Sequence, residues 1–287
     1  MQMAPWLLPA MRRRYRGADT PVDELRVFDA REVPAPLAAM HGTEDAQIGG
    51  ARCTWIAPER RQAGVVVFLH GGAYVFGPGP GHWDWLCALC ELTGTAGLLV
   101  RYARAPEARF PVALDQVVQV CLAQDDPWVL AGDSAGGGLA LAAAFRLRDC
   151  AARLPAGLAL SSPWMDLTME HPEMRAHQQV DVMLGVDRLA AYAGDYAGAA
   201  DMRDPHVSPA FGDPRDLPPM LITSGGAELM RWEIRDWARA CADAGTTCDL
   251  IEVEGAIHDF AMARTLFPEA REVLPAFAEF VAAAVKR

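Results

Sequence analysis

Val129-Leu130-Ala131-Gly132-Asp133-Ser134-Ala135-Gly136-Gly137-Gly138-Leu139-Ala140-Leu141 joins two apolar runs through a turn built almost wholly of small residues. The first run, Trp128 to Ala131, reads as a strand, and the stretch from Leu139 to Arg148 as a helix. So short a connection puts Ser134 at the apex of a sharp bend, where the central residue takes a strained backbone conformation. Gly132, Ala135, Gly136, Gly137 and Gly138 keep the flanks of the bend free of clashes. The serine hydroxyl is then held above a sheet with the positive end of a helix beneath it, which is how a chain presents a nucleophile. A glycine-rich strand-to-helix turn can instead bind phosphate. This one lacks the lysine of a P-loop and the G-x-G-x-x-G spacing of a dinucleotide site.

Outward from this turn the pattern alternates. Gly64 to Leu69, Gly97 to Tyr102, Leu158 to Ser161, Met220 to Thr223 and Cys248 to Val253 read as strands. Trp83 to Leu92, Pro111 to Ala123, Glu228 to Ala244 and Ala270 to Val285 read as helices. Continuous β-rich apolar runs between amphipathic helices imply an α/β fold with a mainly parallel sheet covered on both faces. Two regions break the rhythm. Residues 1–45, rich in Arg, Pro and Met, match no core strand, and residues 165–215 carry several Pro and Met with one expected helix, Val186 to Tyr196. The expectation is an N-terminal cap segment over 1–45 and a catalytic domain over 46–287. Within that domain, 165–215 forms a cap insertion over the C-terminal edge of the sheet.

Composition narrows the function classes. A chain of 287 residues holds ample core, and its formal charge of -11 argues against nucleic acid and anionic membrane surfaces as partners. The seven cysteines, an odd number in apolar contexts, suit buried thiols in a reducing compartment. Cys87 and Cys90 form a C-x-x-C without a second ligand pair, on a helix-like apolar stretch, so core packing explains them better than zinc or redox chemistry. The apolar stretch Ala4 to Met11 is short, interrupted by proline and followed by Arg12-Arg13-Arg14, unlike a secretory leader. A cytoplasmic location, with no metal and no organic cofactor, is expected.

Other pieces of chemistry accompany the serine. His70-Gly71-Gly72-Ala73-Tyr74 directly follows the Val65 to Leu69 strand. Its adjacent glycines let backbone N–H groups approach a ligand, so Gly71 and Gly72, with Ala135, are candidate donors to an oxyanion, each worth on the order of 3 kcal/mol. His70 reads as a brace for the loop and Tyr74 as packing. His258 follows the Cys248 to Val253 strand on a loop at the same sheet edge and is the candidate base, with activity rising as it loses its proton near ~7. His41 and His82 lie in early loops, and His171, His177 and His206 in the presumed cap. The acid is open on position alone. Glu228 is the first carboxylate after the Met220 to Thr223 strand, but an acidic residue at a helix start is also a common stabilising device. Glu233, Asp236 and Asp243 lie further along that helix, where solvation or ion pairing accounts for them.

Together these motifs resemble the hormone-sensitive-lipase-type carboxylesterases, the bacterial family IV branch of the α/β-hydrolases. His70 to Tyr74 resembles the family's oxyanion loop, Gly132 to Gly136 its serine elbow, and Tyr102-Ala103-Arg104-Ala105-Pro106-Glu107 with Phe110-Pro111 its Y-R-L-A-P-E…F-P segment. Ser162-Pro163-Trp164-Met165-Asp166-Leu167 and Asp204-Pro205 with Ser208-Pro209 extend the likeness. The family's acid commonly stands thirty positions before its histidine, as Glu228 does before His258. Ala103 and Arg104 depart from the family preference, and Glu228 stands where aspartate is usual. The resemblance implies an α/β-hydrolase fold and a serine esterase for short acyl esters, working through Ser134, His258 and Glu228 and an acyl-enzyme. A homodimer is also compatible with it. Two rival readings are an amidase, formamidase or deacetylase using the same triad, and a non-catalytic small-molecule receptor, which the retained triad disfavours.

Overall fold

A computed structural model describes residues 21–30 and 32–286. Residues 1–20 of the expected N-terminal cap segment lie outside the described residues. One eight-stranded sheet runs through the molecule in the order β1-β2-β4-β3-β5-β6-β7-β8. The strands are β1 (Thr43–Ile48), β2 (Ala51–Ile56), β3 (Val65–Leu69), β4 (Ala96–Arg101), β5 (Trp128–Asp133), β6 (Leu158–Ser161), β7 (Met220–Gly225) and β8 (Cys248–Val253). β1 and β2 pair antiparallel, as do β2 and β4, and all later pairings are parallel.

The period-two alternation of strand side chains explains why the central strands are apolar throughout. Val65, Val67 and Leu69 of β3 and Trp128 and Leu130 of β5 enter one core, with the helices Val112–Leu122, Ser134–Asp149 and Arg231–Ala244. Val66, Phe68, Val129 and Ala131 face the opposite way, into a second core closed by the helices Pro80–Thr93 and Pro268–Ala284. The expected mainly parallel sheet with helices on both faces is the observed architecture.

Register levels the strand ends that matter. Leu69 pairs with Gly132, Asp133 with Ser161, and Gly225 with Val253. The loops after β3, β5, β7 and β8 therefore leave the sheet along one edge. The β1–β2 hairpin was not anticipated. It starts at Thr43, inside the stretch expected to form the N-terminal segment, and turns at Gly49-Gly50, both with positive φ. Such a turn suits the twist of paired strands. The segment expected to form a cap insertion carries the helices Pro172–His177 and Val186–Ala197. The latter packs on the loop after β3, where Tyr196 stacks on Tyr74 at 3.8 Å between ring centroids and Tyr192 meets Phe76 edge-on at 5.2 Å. Among the described residues no helix is long and apolar enough to cross a membrane.

Candidate active site

The elbow has the strain that its sequence implies. Asp133 is still extended, whereas Ser134 takes φ 48 and opens the helix Ser134–Asp149. That is an unusual conformation for a residue with a side chain. A Cβ on Gly132 would stand 2.5 Å from the carbonyl oxygen of Gly136, so only hydrogen fits where the bend closes. Backbone sterics thus fix the direction of the Ser134 hydroxyl.

Three chain segments converge on that hydroxyl. Ser134 Oγ lies 2.9 Å from His258 Nε2, and His258 Nδ1 lies 2.5 Å from Glu228 Oε2. A carboxylate on Nδ1 keeps the ring proton there, leaving Nε2 to accept from the serine O–H. Glu228 is held by its other oxygen, Oε1, which accepts from Ser224 Oγ at 2.8 Å and from the Gly225 N–H at 2.9 Å. Ser134, Glu228 and His258 are all buried. One expectation needs correction. Glu228 does not begin a helix; it lies in the turn after β7, and the helix starts at Arg231. A turn lets the carboxylate reach across to the β8 loop, whereas a first helical turn would have pointed it along the helix.

The oxyanion loop is also partly corrected. Gly71 was an expected donor, but its N–H already donates to Asp133 Oδ1 at 2.8 Å. Among the described residues, no hydrogen bond takes up the N–H groups of Gly72, Ala73 or Ala135. Asp133 Oδ2 accepts from His82 Nε2 at 3.0 Å, and His82 Nδ1 accepts from the Gly79 N–H at 2.7 Å. Asp133 is buried, which works against its charge. His82 and the Gly71 amide outweigh that and hold the carboxyl below its ordinary range. His82, which sits on the helix Pro80–Thr93 and not in a loop, thereby fixes the elbow to the oxyanion loop. His70 braces the loop as expected: its ring stacks on Tyr102 at 4.4 Å and Nδ1 lies 2.8 Å from the Gly71 carbonyl. Burial, then the neighbouring His82, pushes it down to about 3, so it is a neutral donor.

The remaining candidates separate cleanly. Asp236 pairs with Arg239 and His171, and Asp243 is exposed, both as expected of a solvated face. Glu233 is not. It is buried and accepts from the Met165 N–H at 2.7 Å, and burial holds its carboxyl well above the usual range. His177 and His206 meet the carboxylates of Glu173 and Asp204. Cys87 and Cys90 are buried on their helix, and burial pushes each thiol up to about 12.

Sequence reading missed Asp259. Its Oδ2 lies 3.2 Å from His258 Nε2, on the side of the ring that faces the serine. Burial alone would lower His258, but Asp259 and Glu228 outweigh it and raise the imidazole well above the ordinary histidine range. Beside this group a cavity of ≈ 300 Å³ reaches the oxyanion loop; its walls include Gly72, His258, Met183, Met262 and Phe267.

Residues 66–262 match a family model described as alpha/beta hydrolase fold. An esterase from the bacterial hormone-sensitive lipase family superposes with a TM-score of 0.88 at 27% identity, covering 99% of this chain and 100% of its own. The chain belongs to the hormone-sensitive-lipase-type carboxylesterases of the α/β-hydrolase fold. An acetyl-hydrolase of Streptomyces hygroscopicus is similar to this carboxylesterase at 34% identity over 240 residues, 82% of this chain and 80% of its own length. The esterase EstE5, crystallised and soaked with p-nitrophenyl butyrate, superposes on the carboxylesterase with a TM-score of 0.87 at 26% identity, covering 99% and 100% of the two chains.

Proposed function

We propose that the enzyme hydrolyses short-acyl carboxylic esters through a Ser134-His258-Glu228 relay and an acyl-enzyme. The observation that carries this reading is the unbroken line from Ser134 Oγ through both ring nitrogens to Glu228, at 2.9 Å and 2.5 Å. As Oγ bonds to the ester carbonyl carbon, its proton passes to Nε2, and the carbonyl electron pair moves onto oxygen. Glu228 keeps the imidazole in the accepting tautomer and balances its positive charge. The amides of Gly72 and Ala135, with Ala73 in place of Gly71, receive the oxyanion. The imidazolium then protonates the departing alkoxide, and the carbonyl re-forms. Water, deprotonated by Nε2, later releases the acid and returns the proton to Ser134.

The small apolar cavity beside His258 and the acetyl-hydrolase relative both favour a short acyl group. Residues 165–215, packed on the oxyanion loop through Tyr192 and Tyr196, serve as the cap. The test is turnover of p-nitrophenyl acetate, butyrate and dodecanoate, beside an amide matched to the butyrate. Butyrate or acetate is expected to give the highest kcat/KM. Ser134→Ala is expected to lower kcat by several orders of magnitude and Glu228→Gln by on the order of 10³–10⁴-fold, while Asp236→Asn leaves it unchanged. An active Ser134→Ala enzyme contradicts the relay. A preference for the amide contradicts the substrate class.

A further inference from the structure

The imidazole of His258 carries a carboxylate at each ring nitrogen, and a serine relay requires only the one on Nδ1. Asp259 turns back on its neighbour because its backbone lies in the left-handed region, at φ 53, and its N–H donates to Ser162 Oγ at 3.2 Å. Oδ2 is thereby placed 3.2 Å from Nε2, the atom that must take up the serine proton. Nε2 lies 2.9 Å from Ser134 Oγ, and Asp259 flanks that contact without replacing it. Oδ1 is buried with no hydrogen-bond partner among the described residues. No arginine or lysine among the described residues forms an ion pair with this carboxylate.

Other ionisable groups lie near the imidazole, and each accepts hydrogen bonds of its own from neighbouring groups. Glu228 is fixed by Ser224 and Gly225, and Asp133, at the elbow, is held by Gly71 and His82. Asp181, from the cap segment, accepts from the N–H groups of Met183, Leu184 and Leu229. Glu233, behind Glu228, holds Met165. The Asp259 carboxylate, by contrast, has among the described residues His258 as its one ion-pair partner and accepts no backbone N–H.

We propose that Asp259 acts through His258 as a second carboxylate on the base, withholding the base at low pH by favouring imidazolium in the free enzyme and strengthening it at high pH by favouring imidazolium in the transition state. This rests on the Ser134-His258 relay proposed above. The physical reason is that a charge at ion-pair distance stabilises the protonated ring whether the proton came from solvent or from serine. Burial pushes Asp259 itself up to about 7, so its charge changes within the working range of the enzyme. The sign follows directly. Removing the carboxylate makes the imidazole release its solvent proton at lower pH, and makes it a weaker acceptor of the serine proton.

The experiment is kcat/KM for p-nitrophenyl butyrate from pH ~5 to ~9.5 in the parent enzyme, Asp259→Asn, Asp259→Gly and Ser134→Ala. Asn and Gly both tolerate positive φ, so each variant removes the charge without forcing the loop. In both variants the acid limb is expected to move down by about one pH unit or more, and the alkaline plateau to fall. The profiles then cross, with the variants faster than the parent in acid and slower in base. Profiles that do not cross, above all an unmoved limb with lower activity at every pH, overturn the proposal and make Asp259 a structural residue. Activity in Ser134→Ala would instead remove the relay on which the proposal rests.

Discussion

Burial holds the Glu233 carboxyl well above the usual range, and among the described residues no cation pairs with it. Its Oε1 accepts from the Met165 N–H, its Oε2 is buried without a partner among the described residues, and Asp166 and Glu228 add like charge. Met165 follows Trp164, whose N–H donates to the Ser134 carbonyl at 2.9 Å, so Glu233 steadies the chain beneath Ser134. A carboxyl raised by folding contributes its full stability below its unfolded value of about 4.3 and loses it as pH rises toward the folded value. Glu233→Gln carries no such proton. The urea-unfolding free energy of Glu233→Gln minus that of the parent is therefore expected to increase with pH above about 4.5, at up to ~1.4 kcal/mol per pH unit. A difference independent of pH would show the group ionised. Neither Glu233 nor Asp259 could be assigned from sequence, because their environments are made by segments far away in the chain. Ser134 and His258 were legible because each sits where a strand run ends. Glu228 needed the thirty-residue spacing of the family as well.

Asp133 links the loop after β3 to the helix that follows it. Its two oxygens take the Gly71 N–H and His82 Nε2, tying the elbow, the oxyanion loop and the helix Pro80–Thr93 together. Asp133→Ala leaves the buried Gly71 N–H without its acceptor, which is expected to cost about 2 kcal/mol of stability. It also frees Gly71 to reorient, so kcat is expected to fall by at least ~10-fold. The urea midpoint and kcat measured on the same preparation check both; a stable, fully active variant would contradict this role. The same link explains why Gly71 was misread. Two adjacent glycines after a strand look equivalent until the partner of one is known. Element ends followed similar logic. The β3, β5 and β7 runs were plain because every residue in each is buried. The β1–β2 hairpin was not, since Glu44, Asp45 and Gln47 make β1 a polar edge, and only Gly49-Gly50 marks its turn.

At the scale of the molecule, the sheet brings distant residues together. Ser134 follows β5, Glu228 follows β7 and His258 follows β8, and the parallel register sets these strand ends along one edge. Parallel strands require the intervening helices to cross back, so all of the chemistry-bearing loops emerge on one side. That consequence was readable from the alternation of runs alone. The packing of residues 165–215 was not, because Tyr196 stacks on Tyr74 and Tyr192 meets Phe76 edge-on, contacts that no local pattern encodes. Covalent labelling tests the assembled edge most directly. A p-nitrophenyl alkylphosphonate, followed by peptide mass spectrometry, is expected to place one phosphonyl group on Ser134, with loss of activity in step with labelling and neither event in His258→Ala. Labelling at another residue, or inactivation that leaves Ser134 unmodified, would contradict the relay.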